Sequence, residues 1–401
     1  MRSVVILGST GSIGENALRV ISELPEEFRV VGLAARTHSA RLLEQARAFG
    51  VRQIALSDPG AAHEVCSEAA RLGIEVLSGE EGVTALARLP EADVVLCALV
   101  GLSGLRPSLA ALEAGHDLAL STKEVLVSAG AYVMRRRQAC GVKILPVDSE
   151  HSAIFQALQS SAFLPYCVRP GDSDPSSAAE ARIDRLILTA SGGPFFFHPE
   201  IDFNAVTVEQ ALRHPRWKMG PKVTIDSATM MNKGLEILEA HWLFKIPSDR
   251  IDVVVHPQSV VHSMVTYRDG STMAQLSPPD MRLPIQFALS WPERLPAPLK
   301  RLDFASLRQL TFDAPDERRF PCLRLTREAI QGGGTLAAVM NAADEIAVEA
   351  FLQKRIAFAD IWHVIESVMS AHDVQPCSDL QTICEADAWA RRQASEWIRQ
   401  R

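Results

Sequence analysis

The chain has 401 residues, 47% of them hydrophobic and 22% charged, with a formal net charge of −7. That is globular composition, long enough for two or three domains with cores of their own. Lys and Arg are scattered apart from Arg135-Arg136-Arg137, a triplet that reads as a solvated helix face, so a nucleic-acid footprint is excluded. The seven cysteines lack C-x-x-C spacing, which predicts reduced thiols, a cytoplasmic location and no zinc module. The N-terminus runs straight into SVVILG, and no stretch offers the ~18 uninterrupted apolar residues of a membrane span, so neither a signal peptide nor a membrane partner is expected.

In residues 1–150, short apolar runs lie at Val4–Leu7, Val30–Leu33, Gln53–Leu56, Val94–Ala98, Asp117–Leu120 and Val142–Val147. Amphipathic stretches such as Asn16–Leu24 and Ser39–Ala48 separate them. Near-continuous hydrophobic strands with helix-length connections predict an α/β domain, a Rossmann-like, doubly wound parallel sheet covered on both faces. Residues 151–290 have a different texture. Helical HSAIFQALQ, a polar loop at Pro165–Ala181, and runs at Arg185–Thr189, Val253–His256, Ser263–Tyr267 and Ala274–Leu276 predict a smaller central α/β domain. Residues 291–320 read as a surface linker, rich in Pro and Leu without periodicity. Residues 321–401 read as a C-terminal helical bundle domain, most strongly periodic over Leu336–Phe351.

GSTGSIG, residues 8–14, follows the first predicted strand and opens a helix. Its glycines let backbone approach a pyrophosphate, and Thr10, Gly11, Ser12 and Ile13 fall at a helix N-terminus, where free N–H groups favour an anion. The second strand ends Ala35-Arg36-Thr37-His38-Ser39 with no acid to bond a ribose. Arg36 with neighbouring hydroxyls suits a 2′-phosphate, so NADP is favoured over NAD.

PVDSEHSAIF places Asp148 and Glu150 two residues apart at a strand end, pointing the same way in an extended chain. Three roles compete: ligands of a divalent metal, an acid/base pair, or a cap in which Asp148 or Ser149 starts the next helix. A strand end at the edge of a nucleotide domain favours a ligand site. Without a His/Cys cluster, the metal would be a hard one, Mg²⁺ or Mn²⁺. A third carboxylate is available in DSATMMNKGLEILEA. Asp226 or Ser227 can cap a helix on which Asn232, Lys233 and Glu236 share a face. Ser227, Asn232 and Lys233 are phosphate-binding types, and Glu236 stands one turn on, so a small sugar phosphate could span from a phosphate pocket to a metal. The alternative is an amphipathic helix with a Lys–Glu surface pair. Ser191-Gly192-Gly193 is a possible anion nest. In HPRWKMG, Trp217 beside His214 reads as a lid over a ligand or as a core residue.

In chain order, GSTGSIG, Lys123-Glu124 with the apolar stretch after it, PVDSEHSAIFQ, LTASGGPF, HPRWKMG, DSATMMNKGLE, HPQSVVHSMV and MNAADEIAVEAFL together resemble the 1-deoxy-D-xylulose 5-phosphate reductoisomerases. These are NADPH-dependent enzymes of the methylerythritol phosphate route to isoprenoids, and the resemblance covers essentially the whole chain. It implies a homodimer whose metal site is Asp148, Glu150 and Glu236 and whose phosphate pocket is Ser191, His214, Ser227, Asn232 and Lys233. Trp217 is the implied lid. The implied cofactor contacts are Gly8, Thr10, Gly11, Ser12, Ile13, Arg36, Thr37, Thr122, Glu124 and Gly220, with Lys123 and Ser149 beside metal and substrate. Ser121-Thr122 and Arg36-Thr37 depart from the family's Ala-Asn and Lys-Asn, and the Pro165–Ala181 loop looks expanded. A semialdehyde dehydrogenase of similar layout would need a nucleophilic cysteine, and Cys167 lies in a polar loop without a helix N-terminus. A non-enzymatic NADP sensor would need neither the carboxylates nor the phosphate helix.

Overall fold

Short, mostly apolar segments build the larger sheet. The computed structural model describes residues 1–159, 167, 182–217 and 219–401. In it, seven strands pair in parallel: β1 (Arg2–Leu7), β2 (Phe28–Ala35), β3 (Gln53–Leu56), β4 (Glu75–Ser78), β5 (Val94–Cys97), β6 (Asp117–Leu120) and β7 (Ile144–Pro146). Their order is β4-β3-β2-β1-β5-β6-β7. All four residues of β5 are buried, as a central strand covered on both faces requires. Strand β4 escapes the hydrophobic pattern because it is an edge strand, half exposed along its length. Chain direction across the sheet reverses between β1 and β5. The crevice at the carboxyl ends of these two strands is where an open α/β sheet binds ligands.

The smaller sheet has the order β11-β10-β8-β9, from β8 (Ile183–Ala190), β9 (Ile251–Val255), β10 (Val261–Tyr267) and β11 (Thr272–Leu276). β8 and β9 are parallel and the other pairs antiparallel. The helix Ser149–Gln159 packs on β10 and β11 and joins the two sheets. The helix Met231–Phe244 lies between the helices Glu124–Cys140 and Cys322–Gly332. Two glycines allow that approach: a Cβ on Gly130 would overlap the Trp242 ring, and one on Gly234 would overlap Thr326 Oγ1.

Residues 291–320 hold one four-residue helix, Phe304–Leu307, and Asp313 bridges to Val255 of β9. The helices Leu336–Leu352, Asp360–Ser370 and Leu380–Arg399 complete the C-terminal region. The Pro165–Ala181 loop lies outside the described residues, apart from Cys167. Among the described residues, no helix is long and apolar enough to cross a membrane.

Candidate active site

Asp148 immediately precedes the helix Ser149–Gln159, and its carbonyl accepts the Ser152 N–H at 2.8 Å. Glu150 sits in the first helical turn. The two carboxylates therefore converge at a helix N-terminus, where the dipole favours negative charge, and not by alternation along a strand. Ser149 does not cap this helix; its hydroxyl donates to the Glu150 carboxylate.

DSATMMNKGLE is also not one capped helix. Asp226 and Ser227 lie near the end of the helix Pro221–Thr229, and the chain breaks at Met230 with φ of 62° before Met231–Phe244 begins. Asp226 is turned inward to Lys222 at 2.6 Å. The second helix aims Asn232, Lys233 and Glu236 at the Asp148–Glu150 turn. Carboxylate oxygens of Asp148, Glu150 and Glu236 all lie within 4.8 Å of one another. Lys123 Nζ lies 2.5 Å from Asp148 and 3.1 Å from Glu236, and donates to Asn232 Oδ1 at 2.9 Å. Lys233 Nζ pairs with Glu150 at 2.8 Å and with Glu236.

Burial pushes the Asp148 carboxyl up, but the Lys123 ammonium outweighs it and holds the group well below the usual carboxylate range. Burial and the neighbouring Glu236 push Glu150 up. Burial works against both ammoniums, yet the carboxylates around them hold Lys123 and Lys233 above the ordinary lysine value. Three carboxylates against two ammoniums leave a formal charge of −1. An all-oxygen donor set with spare negative charge fits a hard divalent cation.

The other end of the pocket carries neutral donors. Burial holds His214 at about 4, so its ring is neutral. Its Nδ1 accepts the Trp217 N–H at 2.9 Å and the Arg216 N–H at 3.2 Å. Nε2 is then the protonated nitrogen, and it donates to Ser191 Oγ at 2.8 Å. Gly192 and Gly193 have φ of +84° and +60°, and a Cβ on Gly193 would stand 2.6 Å from the Ser227 carbonyl oxygen. That close approach brings Ser191 and Ser227 to one cavity of about 230 Å3, shared with Asn232, Lys233, Glu236 and the Asp148–Glu150 turn. Trp217 is half-buried at this cavity, its ring 6.4 Å from that of His262.

A larger cleft of about 1070 Å3 runs along the carboxyl ends of β1, β2 and β5. Gly8, Thr10, Gly11, Arg36, Thr37 and Glu124 line it. Gly8 has φ of +92°, and a Cβ on Gly14 would overlap Gly8 O, so these two glycines set the turn and its packing on the helix. Gly11 stays open, as the N-cap of Ser12–Glu23 without a side-chain cap, leaving the first N–H groups of a twelve-residue helix for an anion. Arg36 and Thr37 are exposed at the tip of β2. The nearby Asp58 accepts the Ala61 N–H at 2.8 Å and caps its own helix. These features fit a dinucleotide phosphate. Ser12, Ile13 and Gly220 line the smaller cavity, at the junction of the two spaces. Thr122 lines neither one; it is buried, and its hydroxyl donates to the Leu99 carbonyl at 2.6 Å.

Residues 4–130 match the family described as 1-deoxy-D-xylulose 5-phosphate reductoisomerase, residues 144–244 its C-terminal domain, and residues 276–393 the DXP reductoisomerase C-terminal domain. The 1-deoxy-D-xylulose 5-phosphate reductoisomerase of Thermodesulfovibrio yellowstonii is 45% identical over 99% of this chain and 100% of its own. That of Symbiobacterium thermophilum is 49% identical over 98% of each chain. The chain belongs to the 1-deoxy-D-xylulose 5-phosphate reductoisomerase family. Among solved structures, the Zymomonas mobilis reductoisomerase in complex with NADPH superposes with a TM-score of 0.89 at 40% identity, covering 99% of both chains. A DOX-P reductoisomerase in complex with NADPH, fosmidomycin and magnesium superposes with a TM-score of 0.93 at 38% identity, covering 100% of this chain and 98% of its own.

Several residues support or line the two spaces without a local signal in the sequence. His151 is fully buried; its Nε2 donates to the Glu236 carbonyl at 2.9 Å, and its Nδ1 lies 3.2 Å from Glu239. It pins the backbone that carries Glu236. Ser259 lines the smaller cavity with φ of 51°. His256 holds that turn: its Nδ1 donates to the Thr311 carbonyl at 2.9 Å, and its Nε2 accepts the Val260 and Val261 N–H groups. Lys222, Glu345 and Arg391 line the larger cleft, so the C-terminal helices form part of its wall.

Proposed function

We propose that the chain catalyses NADPH-dependent isomerisation and reduction of 1-deoxy-D-xylulose 5-phosphate to 2-C-methyl-D-erythritol 4-phosphate, a step of isoprenoid precursor biosynthesis. In this reading Asp148, Glu150 and Glu236 hold Mg²⁺ or Mn²⁺, and Ser191, His214, Ser227, Asn232 and Lys233 hold the substrate phosphate. One observation carries it: three carboxylates and five phosphate-type side chains meet in one cavity of about 230 Å3, whose wall includes Ser12 and Ile13 of the glycine loop.

When bound, the cation supplies Lewis acidity at the substrate's ketone and adjacent hydroxyl oxygens, and NADPH supplies the hydride. The chain contributes position and charge. Lys123 stays protonated because Asp148 and Glu236 outweigh its burial. It therefore neutralises charge developing on a substrate oxygen and cannot act as a general base. Neutral His214 offers one N–H, beside the hydroxyls of Ser191 and Ser227 and the ammonium of Lys233. Anchoring the phosphate there lets remote binding energy orient the reacting carbons and draw Trp217 over them. Arg36 and Thr37 receive the 2′-phosphate of the cofactor; Gly8, Thr10 and Gly11 approach its pyrophosphate, and Glu124 lines the same cleft. Residues 1–150, 151–290, 291–320 and 321–401 form the cofactor, catalytic, linker and C-terminal parts, a division supported by the two separate sheets. A cytoplasmic homodimer belongs to the same reading: the family resemblance supports the dimer, and the absence of disulfides among the described residues fits a reducing compartment.

The test follows NADPH absorbance with 1-deoxy-D-xylulose 5-phosphate and Mg²⁺ or Mn²⁺, with the product identified by mass spectrometry. Turnover should stop on chelation, return with added metal, and be blocked by fosmidomycin, which is bound in two of the related structures. Oxidation that ignores the chelator would overturn the metal assignment. Lys233→Ala should weaken substrate binding far more than cofactor binding; equal losses would remove Lys233 from the phosphate pocket.

A further inference from the structure

Lys222 stands where three parts of the chain meet. It is the second residue of the helix Pro221–Thr229, which starts directly after the Trp217–Gly220 segment and contains Ser227. Its ammonium reaches Asp226 at 2.6 Å on the same helix and Asp344 at 3.0 Å on the C-terminal helix Leu336–Leu352. Glu124, next to Lys123, lies at 3.9 Å. Asp226 and Asp344 are 1% and 0% exposed, and Lys222 is the cation paired with each among the described residues. The next residue, Glu345, holds Arg391 at 2.5 Å and backs onto the glycine turn after β5, where a Cβ on Gly101 would stand 2.8 Å from its carboxylate.

One buried ammonium between two buried carboxylates is a stiff connection. Neither acid reaches water, and without the cation the two repel. Burial, and for Asp226 the nearby Asp344, already push both carboxyls up. The connection fixes the turn that holds Asp226 against the C-terminal helix. Ser227 is the adjacent residue, and its carbonyl packs on Gly193, two residues from Ser191. Displacement at Lys222 would therefore reach two of the proposed phosphate contacts together.

We propose that Lys222 is a positioning residue: by bridging Asp226 and Asp344, it locks the helix that carries Ser227 to the C-terminal helix, so that the C-terminal region sets the geometry of the phosphate end of the pocket. This rests on the reading of Ser227 as a phosphate contact.

The test is a double-mutant cycle between Asp344→Asn and Ser227→Ala in the full enzyme, read as KM for substrate, kcat and NADPH affinity. Asn keeps a hydrogen-bond acceptor for Lys222 and removes one of the excess acids, so the variant should fold. Asp344→Asn should raise KM about tenfold with kcat changed far less, and should add almost nothing in the Ser227→Ala background. Equal KM effects in both backgrounds, or no KM effect, would make Lys222 a purely structural residue and overturn the proposal. If Ser227→Ala alone leaves KM unchanged, the phosphate reading fails instead. Lys222→Arg, which keeps the cation, should lie closer to the parent enzyme than Lys222→Gln; this ordering supplies the same decision if Asp344→Asn does not fold.

Discussion

Replacing Glu236 by Gln tests the proposed metal site apart from the rest of the molecule. Glu236 is 1% exposed and contacts Lys123 at 3.1 Å, Asn232 at 2.6 Å and Lys233. The fold should tolerate the change. Lys123 keeps Asp148 at 2.5 Å and Lys233 keeps Glu150 at 2.8 Å, so neither ammonium is left without a carboxylate. The loss is then that of one hydrogen-bonded charged group, about 1.5–3 kcal/mol. Cation binding should suffer more. The site's formal charge rises from −1 to zero, and one of three anionic oxygen donors is gone. Removing one partner of a buried charge interaction costs about 3–5 kcal/mol, which is between about two and four powers of ten in Kd. Titration calorimetry with Mn²⁺ measures this directly. NADPH affinity, read by fluorescence, should change less than about twofold, because Glu236 lines the smaller cavity and not the larger cleft proposed for the dinucleotide. A folded Glu236→Gln protein with parental Mn²⁺ affinity would refute the reasoning and leave Asp148 and Glu150 without their third partner.

Gly11→Ala should fold normally, since its Cβ would lie 3.4 Å from Gly8 O, yet lose NADPH affinity; Gly14→Ala should be insoluble or strongly destabilised, and thermal melts with NADPH titration tell the two apart. Arg36→Ala should raise the Kd of NADPH about ten- to a hundredfold and leave that of NADH nearly unchanged; equal losses would remove Arg36 from the 2′-phosphate. His214 carries a pH prediction. Its value falls from 6.5 to about 4 in the folded protein, so the folded form binds fewer protons than the open one. The His214 contribution is complete above pH 6.5, shrinks as pH falls, and is gone at about pH 4, where a protonated Nδ1 no longer accepts the Trp217 N–H. Trp217 fluorescence should report loosening with a midpoint near pH 4, absent in Trp217→Phe and lost in His214→Asn; a midpoint near 6.5 would contradict it.

The larger sheet was legible because its strands are buried on both faces and need no partner to declare themselves, as Val94–Cys97 does. β4 was not, since an edge strand can be polar on both faces. The helix Ser149–Gln159 was expected near its true start, but the support for its acids was misread: Asp148 and Glu150 meet through a helical turn and a lysine, not through strand alternation. The break at Met230 left no trace in the sequence, because methionine has no preference for positive φ. Asp226 was read as a helix cap; its partner Lys222 at i,i+4, and Asp344 over a hundred residues away, which ties that pair to the helix Leu336–Leu352, were not foreseen.

This division has a physical basis. The groups that touch a cation or a phosphate are named by their chemistry, and carboxylates, amides, hydroxyls and ammoniums at short spacing are visible in one dimension. The groups that hold them are ordinary residues given a task by distant contacts. His151 fixes the Glu236 backbone, His256 fixes a turn at φ of 51°, and Gly130 admits the Trp242 ring so that the helix Met231–Phe244 can lie close enough for its acid to reach Lys123. Each acts through a non-local contact whose partner the local pattern cannot supply. A histidine read alone is as well suited to a satisfied core position as to a ligand shell. Only the partner separates the two, and for His151 that partner is a backbone carbonyl one helix away, beside three carboxylates that would lose their convergence if it moved.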